Sequence, residues 1–597
     1  AKATYGRKGD AIVQMNYDAI DAGAKQVVEV QVPKSWKDCA DEGLFMAHAE
    51  GGRTDVVDFV NNIQSKVNAQ EGNTLPVSAF KDYVDGTTPS GSAAFEKRGI
   101  AVDIPVWQPE NCIQCNRCAY VCPHAVIRPV AMTDAEVAAA PEGMKTLPMT
   151  GMADYKFVMT VSAYDCTGCG SCANVCPGKK GAKALVMANM EANAGEQKFF
   201  DYGVTLPVKE DVIAKFKENT VKGSQFKQPL LEFSGACAGC GETPYAKLIT
   251  QLFGDRMYIA NATGCSSIWG NSSPSTPYTV NAKGQGPAWS NSLFEDNAEF
   301  GYGMLLAQKA IRGGLKTKVE SVLAYEGSSE EVKAACQEWL DTFNSGITNG
   351  AATDKLVAAL EGVDCDVCKD IVKNKDFLAK KSQWIFGGDG WAYDIGFGGV
   401  DHVLASGQDI NVMVFDTEVY SNTGGQSSKS TPTGAIAQFA AGGKEVKKKD
   451  MASIAMSYGY VYVAQIAMGA DFNQTVKAIA EAEAYPGPSL IIAYAPCINH
   501  GIKKGMSKAQ TEEELAVKCG YWHNFRFNPA AENKFSLDSK APSEEGYQEF
   551  LNGEVRYNSL QRSNPEKAAR LFAKNEAEAR ARYEYLNKLV TLYGKTE

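Results

Sequence analysis

The chain has 597 residues, of which 44% are hydrophobic and 22% charged, a composition typical of a globular protein with several domains. Its formal net charge of −10 argues against a nucleic-acid-binding protein and suits a soluble cytoplasmic enzyme. The sequence has no apolar run of about 18 residues that would form a membrane-spanning helix, and its start, AKATYGRKGD, lacks a signal-peptide pattern.

The first predicted element is a helix near the N-terminus. The stretch TDVVDFVNNIQSKVNA, residues 54–69, carries apolar residues at helical spacing. Because the sequence does not begin with methionine, we expect either a processed chain or a piece of a longer one.

Two copies of one cysteine pattern follow. CIQCNRCAYVCP spans residues 112–123 and CTGCGSCANVCP spans residues 166–177, and both read C-x-x-C-x-x-C-x-x-x-C-P. In bacterial ferredoxins this run holds two [4Fe–4S] clusters, and the fourth cysteine of each copy binds the cluster of the other. We expect that fourth cysteine to open a short helix. The predicted ligand sets are Cys112, Cys115, Cys118 and Cys176 for one cluster, and Cys166, Cys169, Cys172 and Cys122 for the other.

Zinc is the alternative for these repeats, since zinc sites also use C-x-x-C pairs. Three evenly spaced cysteines with a fourth before proline, present twice, favour iron–sulfur clusters. The connection between the copies, residues 123–165, is long for a compact two-cluster module. We therefore expect an insertion around residues 130–152.

A group of lysines stands close to the last cysteine of the second repeat. Lys179, Lys180 and Lys183 could form the basic patch that an acidic electron carrier needs in order to dock on a negatively charged chain. The alternative is that they only solvate a loop. His124, after the proline of the first repeat, is expected to be structural, as is His500, for which a hydrogen bond near a cofactor is the alternative.

Four further cysteines stand in sequences typical of active-site loops. Cys237 and Cys240 lie in FSGACAGCGETPY, Cys265 lies in NATGCSSIWG, and Cys497 follows an apolar run in YAPCINHG. A C-x-x-C pair with two distant cysteines could hold a third cluster, whereas free buried thiols are the alternative. The spacing alone does not decide between them.

The remaining cysteines lack such surroundings. Cys365 and Cys368 form a C-x-x-C pair in a charged helical stretch without a glycine-rich loop or a partner pair, so we expect reduced thiols without function. Cys39, Cys336 and Cys519 are isolated and are expected to be structural.

From residue 383 the pattern becomes that of an α/β domain. Apolar strands alternate with helices, which indicates a parallel sheet covered on both faces, with ligands bound beyond the carboxyl ends of its strands. Strands are predicted at 383–388, 410–415, 460–466 and 489–495, and helices at 392–406 and 471–485. GGKEVKKKD, residues 442–450, is expected to be a solvated turn and the start of a helix.

Two turns at strand ends predict a site for a metal and a diphosphate. The sequence Gly388-Asp389-Gly390 lets the backbone approach phosphate oxygens, and Asp389 offers a hard oxygen to Mg²⁺. The turn after the next strand adds Thr417, the Val419 carbonyl and Asn422. A lone GDG is often only a tight turn, but the second polar turn strengthens the prediction.

Taken together, the motifs resemble one family. GDGWAYDIG followed by DTEVYSNTGGQSSKSTP is similar to the thiamine diphosphate (TPP) motif of the pyruvate:ferredoxin (flavodoxin) oxidoreductases, within the 2-oxoacid:ferredoxin oxidoreductase family. CAGCGETPY, NATGCSSIWG and IPVWQPENCIQCNRCAYVCPHA resemble the same family, in the same order along nearly the whole chain. The resemblance implies a doubly wound TPP-binding parallel-sheet domain and an inserted ferredoxin-like α+β domain. It also implies three [4Fe–4S] clusters, TPP and Mg²⁺ as cofactors.

The resemblance implies domain limits and roles for individual residues. Residues 1–80 would be the tail of a preceding domain with a linker, 81–225 the ferredoxin-like domain, and 226–597 the TPP-binding domain with a proximal cluster. The residues that match ligands of the proximal cluster are Cys237, Cys240, Cys265 and Cys497, and those that match ligands of Mg²⁺ are Asp389, Thr417 and the Val419 carbonyl. The residues that match TPP contacts are Glu242, Cys265, Gly388, Asp389, Gly390, Trp391, Thr417, Glu418, Val419, Tyr420, Ser421 and Asn422, and Asn422 also matches a catalytic residue near the reacting carbonyl. Thr417 replaces the Asn of the general TPP motif but keeps the form found in this family.

The implied activity is oxidative decarboxylation of pyruvate with coenzyme A to acetyl-CoA and CO₂, with electrons passing through three clusters to ferredoxin or flavodoxin. The alternatives are another 2-oxo acid as substrate (2-oxoglutarate, a branched or an aryl 2-oxo acid) and, in a different class, a non-catalytic electron-transfer protein. The family's pyrimidine-binding domain, most of its coenzyme A site and its pyruvate contacts have no counterpart here. The chain therefore resembles the C-terminal half of a homodimeric cytoplasmic enzyme of anaerobic metabolism, either as a fragment or as a subunit.

Overall fold

The computed structural model describes residues 1–38, 49–272 and 275–594, so Cys39 lies outside the described residues. The α-helices are α1 (Lys2–Tyr5), α2 (Asp10–Lys25), α3 (Thr54–Phe59), α4 (Ser65–Asn68), α5 (Arg117–Tyr120), α6 (Asp134–Ala138), α7 (Ser171–Val175), α8 (Met190–Asn193), α9 (Gln197–Thr205), α10 (Glu210–Phe216), α11 (Val221–Ser224), α12 (Thr243–Phe253), α13 (Cys265–Ser267), α14 (Asn297–Ala324), α15 (Glu330–Asp341), α16 (Asn349–Leu360), α17 (Asp366–Lys373), α18 (Phe397–Ala405), α19 (Met451–Met456), α20 (Phe472–Ala484), α21 (Ala509–Cys519), α22 (Tyr547–Asn552), α23 (Val555–Ser563) and α24 (Pro565–Leu592). The strands are β1 (Asp103–Trp107), β2 (Ile127–Met132), β3 (Leu147–Pro148), β4 (Lys156–Val161), β5 (Leu185–Asn189), β6 (Met257–Ala262), β7 (Ala288–Ser292), β8 (Ser382–Gly388), β9 (Asn411–Asp416), β10 (Tyr462–Ile466), β11 (Ser489–Tyr494), β12 (Phe525–Phe527) and β13 (Phe535–Leu537).

The elements predicted from the sequence form close to their expected positions. α3 and α4, joined by a π-helical turn over Val60–Gln64, make up the helix predicted at 54–69. Strands β8 to β11 correspond to the four predicted apolar strands, and α18 and α20 to the two predicted helices. The structure adds strands β6 and β7 at one side of the sheet and β12 and β13 at the other, none of which was predicted.

An eight-stranded sheet forms the frame of the C-terminal part. Its strand order is β13-β12-β10-β11-β9-β8-β6-β7, and the six strands from β10 to β7 in this order are parallel, whereas β12 and β13 pair antiparallel at one edge. The carboxyl ends of β6, β8, β9 and β11 therefore meet at one edge of the sheet, where ligands of such folds bind.

Both faces of the sheet are covered. Along β8, Ile385 packs into one core while Trp384 and Phe386 pack into the other, and along β9 Val412 and Met413 divide in the same way. This alternation follows from the two-residue period of a strand, and it explains why the strands are apolar at nearly every position.

The cysteine repeats lie in a smaller α+β unit. Strands β1 and β5 form one antiparallel pair, and β2, β4 and β3 form a second antiparallel sheet in that order. Helix α6 and strand β3 lie between β2 and β4, within the part of the connection where an insertion was expected. The predicted architecture, a parallel-sheet domain with a smaller α+β domain, is confirmed.

Helices α14 to α17 form a unit that the sequence did not predict. They share a separate hydrophobic cluster that includes Trp339, Cys336 and Cys368. Helix α14 also contacts β6 and β8, which attaches this unit to the sheet. No helix of the described residues is long and apolar enough to span a membrane.

Candidate functional site

The structure gathers the cysteines of the two repeats into two groups, with their fourth members exchanged. The first group is Cys112, Cys115, Cys118 and Cys176, which line one small cavity. The second group is Cys166, Cys169, Cys172 and Cys122, which line another. These are the two predicted ligand sets, and their role as ligands stays a prediction. Helices α5 and α7 end just before Cys122 and Cys176, so the expectation that each fourth cysteine opens a helix was wrong.

The loops of the two repeats have the same backbone shape. Gln114 and Gly168 occupy equivalent positions with φ of 56° and 69°, and Asn116 and Gly170 do so with φ of 61° and 76°. The left-handed residues turn amide groups toward the sulfurs. The amide nitrogen of Gln114 lies 3.4 Å from Cys112 Sγ, and that of Gly168 lies 3.3 Å from Cys166 Sγ. Such amide donors stabilise thiolates bound to a cluster.

Both groups contain buried thiols whose charged form is disfavoured by burial. Burial raises the pKa of Cys118 and Cys172 well above the usual range, so deprotonating these thiols needs a compensating positive charge, which iron would supply. Among the described residues, no three His, Cys, Asp or Glu side chains are placed to hold a single metal ion. Each thiolate of a cubane binds a different iron, so these four-thiol groups can be more widely spaced than ligands of one ion.

A buried lysine, which the sequence analysis missed, lies near both groups. The ammonium of Lys247 donates to the carbonyl oxygens of Ala119 and Tyr120, the second at 3.0 Å. Burial lowers its pKa to about 8, whereas the neighbouring thiols of Cys122 and Cys118 act to raise it. Lys247 lies inside the helical pattern of α12, and nothing in that pattern signals a contact with the repeats.

The structure also brings together the four cysteines predicted to form a third group. Cys265 and Cys240 lie close to Cys497, and Cys497 lies close to Cys237, with Glu242 beside them. Glu242 is buried, and burial raises the pKa of this carboxyl to about 7 although Trp269 Nε1 donates to it at 2.8 Å.

The three cysteine groups follow one another through the molecule. The amide of Gly239, in the Cys237–Cys240 loop, points at Cys169 of the second group. Cys172 of the second group lies near Cys118 of the first. The order is therefore third group, second group, first group, and the first group includes the partly exposed Cys115.

The two turns predicted to bind a metal and a diphosphate meet at the ends of β8 and β9. Thr417 Oγ1 lies 3.0 Å from both Asp389 Oδ1 and the Val419 carbonyl oxygen, and Ser428 Oγ donates to Asp389 Oδ2 at 2.5 Å. Asp389 is fully buried, and burial followed by the nearby Asp416 carboxylate raises its pKa. A divalent cation at Asp389 would relieve both effects, so this oxygen-rich set fits Mg²⁺.

The rest of the predicted TPP contacts lie around these turns. The ring of Tyr420 covers Gly390, where a Cβ atom would come within 2.4 Å of it, and Trp391 packs under Gly387. Ser421 Oγ lies 3.2 Å from Cys265 Sγ, which links the turn to the third cysteine group. Asn422 is exposed in this turn, and its predicted catalytic role stays a prediction.

A network of buried charges that the sequence analysis missed holds the second turn. Glu418 has a left-handed backbone, with φ of 60°, and is 1% exposed. Its carboxylate pairs with Lys448 at 2.9 Å and with Arg556 at 2.9 Å, and it accepts a hydrogen bond from Tyr521 at 2.5 Å. Burial alone would raise the pKa of Glu418, but Lys448 and Arg556 hold it well below its usual range.

Lys448 corrects one expectation. It also pairs with Asp416 at 2.8 Å, so residues 442–450 are not simply solvated, although α19 does begin just after them.

His500 is fully buried, and its Nε2 lies 2.7 Å from the Thr417 carbonyl oxygen, which places this side chain against the candidate metal turn. His124 is buried with Nδ1 3.1 Å from the Ser234 carbonyl oxygen.

Comparisons with protein families match three stretches of the chain. Residues 373–493 match the family described as thiamine pyrophosphate enzyme, C-terminal TPP binding domain, and residues 111–180 match the 4Fe-4S dicluster domain. Residues 48–101 match EKR, a domain of unknown function. The predicted TPP and [4Fe–4S] chemistry is thereby confirmed at the level of these two domains.

Curated relatives extend the similarity to nearly the whole chain. A pyruvate-flavodoxin oxidoreductase of Klebsiella pneumoniae is 53% identical over 98% of this chain and 49% of its own length. A pyruvate:ferredoxin oxidoreductase of Moorella thermoacetica is 54% identical over 98% of this chain and 50% of its own length. Among solved structures, a 2-oxoglutarate:ferredoxin oxidoreductase from Magnetococcus marinus aligns with 45% of this chain and 65% of its own chain, at 15% identity and a TM-score of 0.26. The chain spans about half the length of the curated relatives it matches.

Proposed function

We propose that the chain is the cofactor-binding and electron-transfer half of a pyruvate:ferredoxin (flavodoxin) oxidoreductase, because it is 53–54% identical to two such enzymes over 98% of its own length and about half of theirs. The reaction would be oxidation of pyruvate with coenzyme A to acetyl-CoA and CO₂. The domain limits proposed for it are a tail and linker in residues 1–80, a ferredoxin-like domain in 81–225 and a TPP-binding domain in 226–597.

The observation that carries this proposal is the contact between the candidate diphosphate turn and the third cysteine group. Ser421, in the turn after β9, lies with its Oγ 3.2 Å from Cys265 Sγ. A TPP enzyme that only cleaves or forms carbon–carbon bonds has no use for a redox group at this place. Electron transfer falls off steeply with distance, so a cluster next to the cofactor is suited to accept electrons from it.

The chain's own residues would bind and orient the cofactor. TPP supplies the decarboxylation chemistry when bound. Asp389, Thr417 and the Val419 carbonyl would hold Mg²⁺, which in turn binds the diphosphate. Ser428 donates to Asp389 and the Glu418 network fixes the backbone between the ligands, so the metal site is preformed.

The three cysteine groups would hold three [4Fe–4S] clusters in a row. Contacts between the groups support an order in which the third group lies beside the TPP site and the first group, with partly exposed Cys115, lies at the other end of the row. Ferredoxin or flavodoxin would then accept electrons at the first group. Cysteine thiols must be reduced in order to bind iron–sulfur clusters, and the cytoplasm keeps thiols reduced. We therefore place the enzyme in the cytoplasm.

We propose two partners for this chain, namely the other half of the enzyme and a second copy of the complete enzyme. The relatives have about as many residues again outside the matched region, and we propose that those residues complete the sites for pyruvate and coenzyme A in a homodimer. Pyruvate is preferred over other 2-oxo acids because relatives that are 53–54% identical carry pyruvate in their names.

Reconstitution tests the proposal. The cluster- and TPP-loaded chain, mixed with the other half taken from the same enzyme, should reduce ferredoxin in the presence of pyruvate and coenzyme A, whereas the chain alone should not. The same assay with 2-oxoglutarate is the control for substrate class. Turnover by the chain alone, or faster turnover with 2-oxoglutarate than with pyruvate, would contradict the proposal.

A further inference from the structure

The C-x-x-C pair of the helical unit stands at the start of helix α17. Cys365 is the residue that precedes the helix, with an extended backbone at φ of −146° and ψ of 127°, and Cys368 lies in its first turn. Both belong to the hydrophobic cluster of α14 to α17, apart from the cores around the candidate cofactor sites. The proposed oxidoreductase function makes no use of them.

The two thiols face each other and differ in environment. Cys365 is partly exposed, whereas Cys368 is 2% exposed and has the fully buried Cys336 behind it. The amides of Cys368 and Val367 point toward the Cys365 sulfur and lower its pKa, although neither makes a cap hydrogen bond of standard geometry. Burial, followed by the neighbouring Cys365, raises the pKa of Cys368.

This asymmetry is that of an attacking thiol and a resolving thiol. The thiolate is the nucleophile, and free amides at a helix start favour it, so Cys365 is the more reactive member. Cys368 is shielded from solvent but lies one helical turn away, at a spacing compatible with the Cα separation of about 4.4–6.8 Å that a disulfide requires. The pair thus combines a solvent-accessible thiol on Cys365, a second thiol one helical turn away on Cys368, and a difference in reactivity between the two.

We propose that Cys365 and Cys368 form a redox-active dithiol that exchanges with disulfides of small thiols such as glutathione. The Cys365 thiolate attacks one sulfur of the oxidised small thiol, which forms a mixed disulfide and releases one thiolate. Cys368 then loses its proton and attacks the Cys365 sulfur, forming the internal disulfide and releasing the second thiolate. One oxidised small thiol is reduced to two thiols as the protein dithiol becomes a disulfide.

The proposal is independent of the proposed function and is tested at the level of one peptide. Trypsin releases residues 356–369, which contain Cys365 and Cys368 and no other cysteine. The cluster-loaded chain is equilibrated anaerobically in glutathione buffers of increasing oxidised fraction, acid-quenched and alkylated. We expect this peptide to convert from the doubly alkylated form to an unalkylated disulfide form, two hydrogens lighter than the free dithiol, while Cys336 and Cys519 stay alkylatable.

Variants separate the two roles. In Cys368→Ser, oxidised glutathione should leave a stable mixed disulfide on Cys365, because no resolving thiol is present. In Cys365→Ser, Cys368 should form neither product, and Cys336→Ser should behave like the parent chain. Alkylation of the unmodified chain at pH 7, which needs no variant, should label Cys365 at least about tenfold faster than Cys336. An unchanged peptide across all buffers, or equal alkylation of Cys365 and Cys336, overturns the proposal.

Discussion

In the candidate TPP site, the charged form of one carboxylate, Asp389, is unfavourable because the side chain is buried next to Asp416. Asp389 and Asp416 end neighbouring strands and are both fully buried. Lys448 neutralises Asp416 at 2.8 Å, whereas Asp389 has hydroxyl donors from Thr417 and Ser428. A charge left in this position favours a bound cation, which is the physical basis for the assignment to Mg²⁺.

Replacing Asp389 with alanine should weaken Mg²⁺-dependent TPP binding roughly ten- to a hundredfold, since interactions with a charged ligand contribute about 1.5–3 kcal/mol. Calorimetric titration of TPP with and without Mg²⁺ measures the effect, and the iron–sulfur absorption should not change. Asp401→Ala is the matched control, because Asp401 on α18 accepts a hydrogen bond from Tyr458 away from both turns. Parent-like TPP affinity in Asp389→Ala would show that this turn does not bind the metal.

Arg556→Met should destabilise the chain by about 3–5 kcal/mol, since it removes one partner of a buried ion pair with Glu418. Because the pKa of Glu418 is lower in the folded chain than in the unfolded chain, its carboxylate stabilises the fold at pH values above the unfolded pKa. This stabilisation is lost as the pH falls through the folded pKa. The variant raises that folded value toward the unfolded one, so it should lose less stability than the parent chain as the pH falls from about 5 to about 3.

Thermal unfolding of Arg556→Met and of the parent chain at pH 7 and at about pH 3 measures both effects. The control is Arg570→Met, which removes an exposed ion pair with Glu445 and should cost less than about 1 kcal/mol. Equal shifts in the two variants would mean that the buried network does not hold the turn.

At the scale of elements, the candidate site depends on strand ends and loops that meet without being neighbours in sequence. The loop that carries Cys237 and Cys240 touches the segment after β11 that carries Cys497. Gly241 N donates to the Pro496 carbonyl oxygen at 3.1 Å, and a Cβ atom on Gly241 would lie 2.6 Å from Pro496 N. Only glycine allows this backbone contact, so the residue controls how closely the two halves of the third cysteine group approach.

Gly241→Ala should separate these segments and remove the third cluster while the first two remain. We expect about twelve irons per parent chain and about eight per variant, at four irons per cluster. Iron analysis and low-temperature electron paramagnetic resonance of anaerobically prepared protein measure this. Gly398→Ala, in α18 with open space around its Cα atom, should keep the parent iron content. About twelve irons in Gly241→Ala, or about eight in the parent chain, would argue against a third cluster bound by this group.

At the scale of the whole molecule, the net charge of −10 opposes the approach of an acidic electron carrier. Lys179, Lys180 and Lys183 are all exposed near the first cysteine group, and the ammonium of Lys183 donates to the Cys176 carbonyl oxygen at 2.6 Å. Lys183 is thereby held in place, whereas Lys179 and Lys180 are the members of the patch that can be changed without removing a hydrogen bond to a cysteine ligand loop.

Lys179→Glu combined with Lys180→Glu should slow ferredoxin reduction several-fold at low ionic strength and much less at high salt, because exposed charges act mainly on the association rate. Stopped-flow reduction of ferredoxin by the dithionite-reduced, cluster-loaded chain measures this rate. Lys373→Glu with Lys375→Glu, exposed at the end of α17, changes the net charge equally and should have a smaller effect. Equal slowing in both double variants would show that only net charge matters.

The sequence alone determined the features that depend on short stretches of chain. The spacing within each cysteine repeat and within the GDG turn sets the local backbone shape, and the apolar runs at 383–388 and 410–415 predict buried strands, because both follow from neighbouring residues. The fold class, the iron–sulfur repeats and a metal–diphosphate site could therefore be predicted, and the resemblance to a known family added TPP.

Only the tertiary structure decided which distant groups meet. The helical unit α14–α17, the contact of Gly241 with Pro496, and the pairing of Glu418 with Lys448 and Arg556 join segments with no common sequence pattern. A lysine in a charged stretch such as GGKEVKKKD has the sequence signature of a solvated side chain whether or not the fold buries its ammonium beside a carboxylate. The physical reason is that burial and pairing depend on the packing of the whole sheet, whereas sequence patterns report the preferences of single segments.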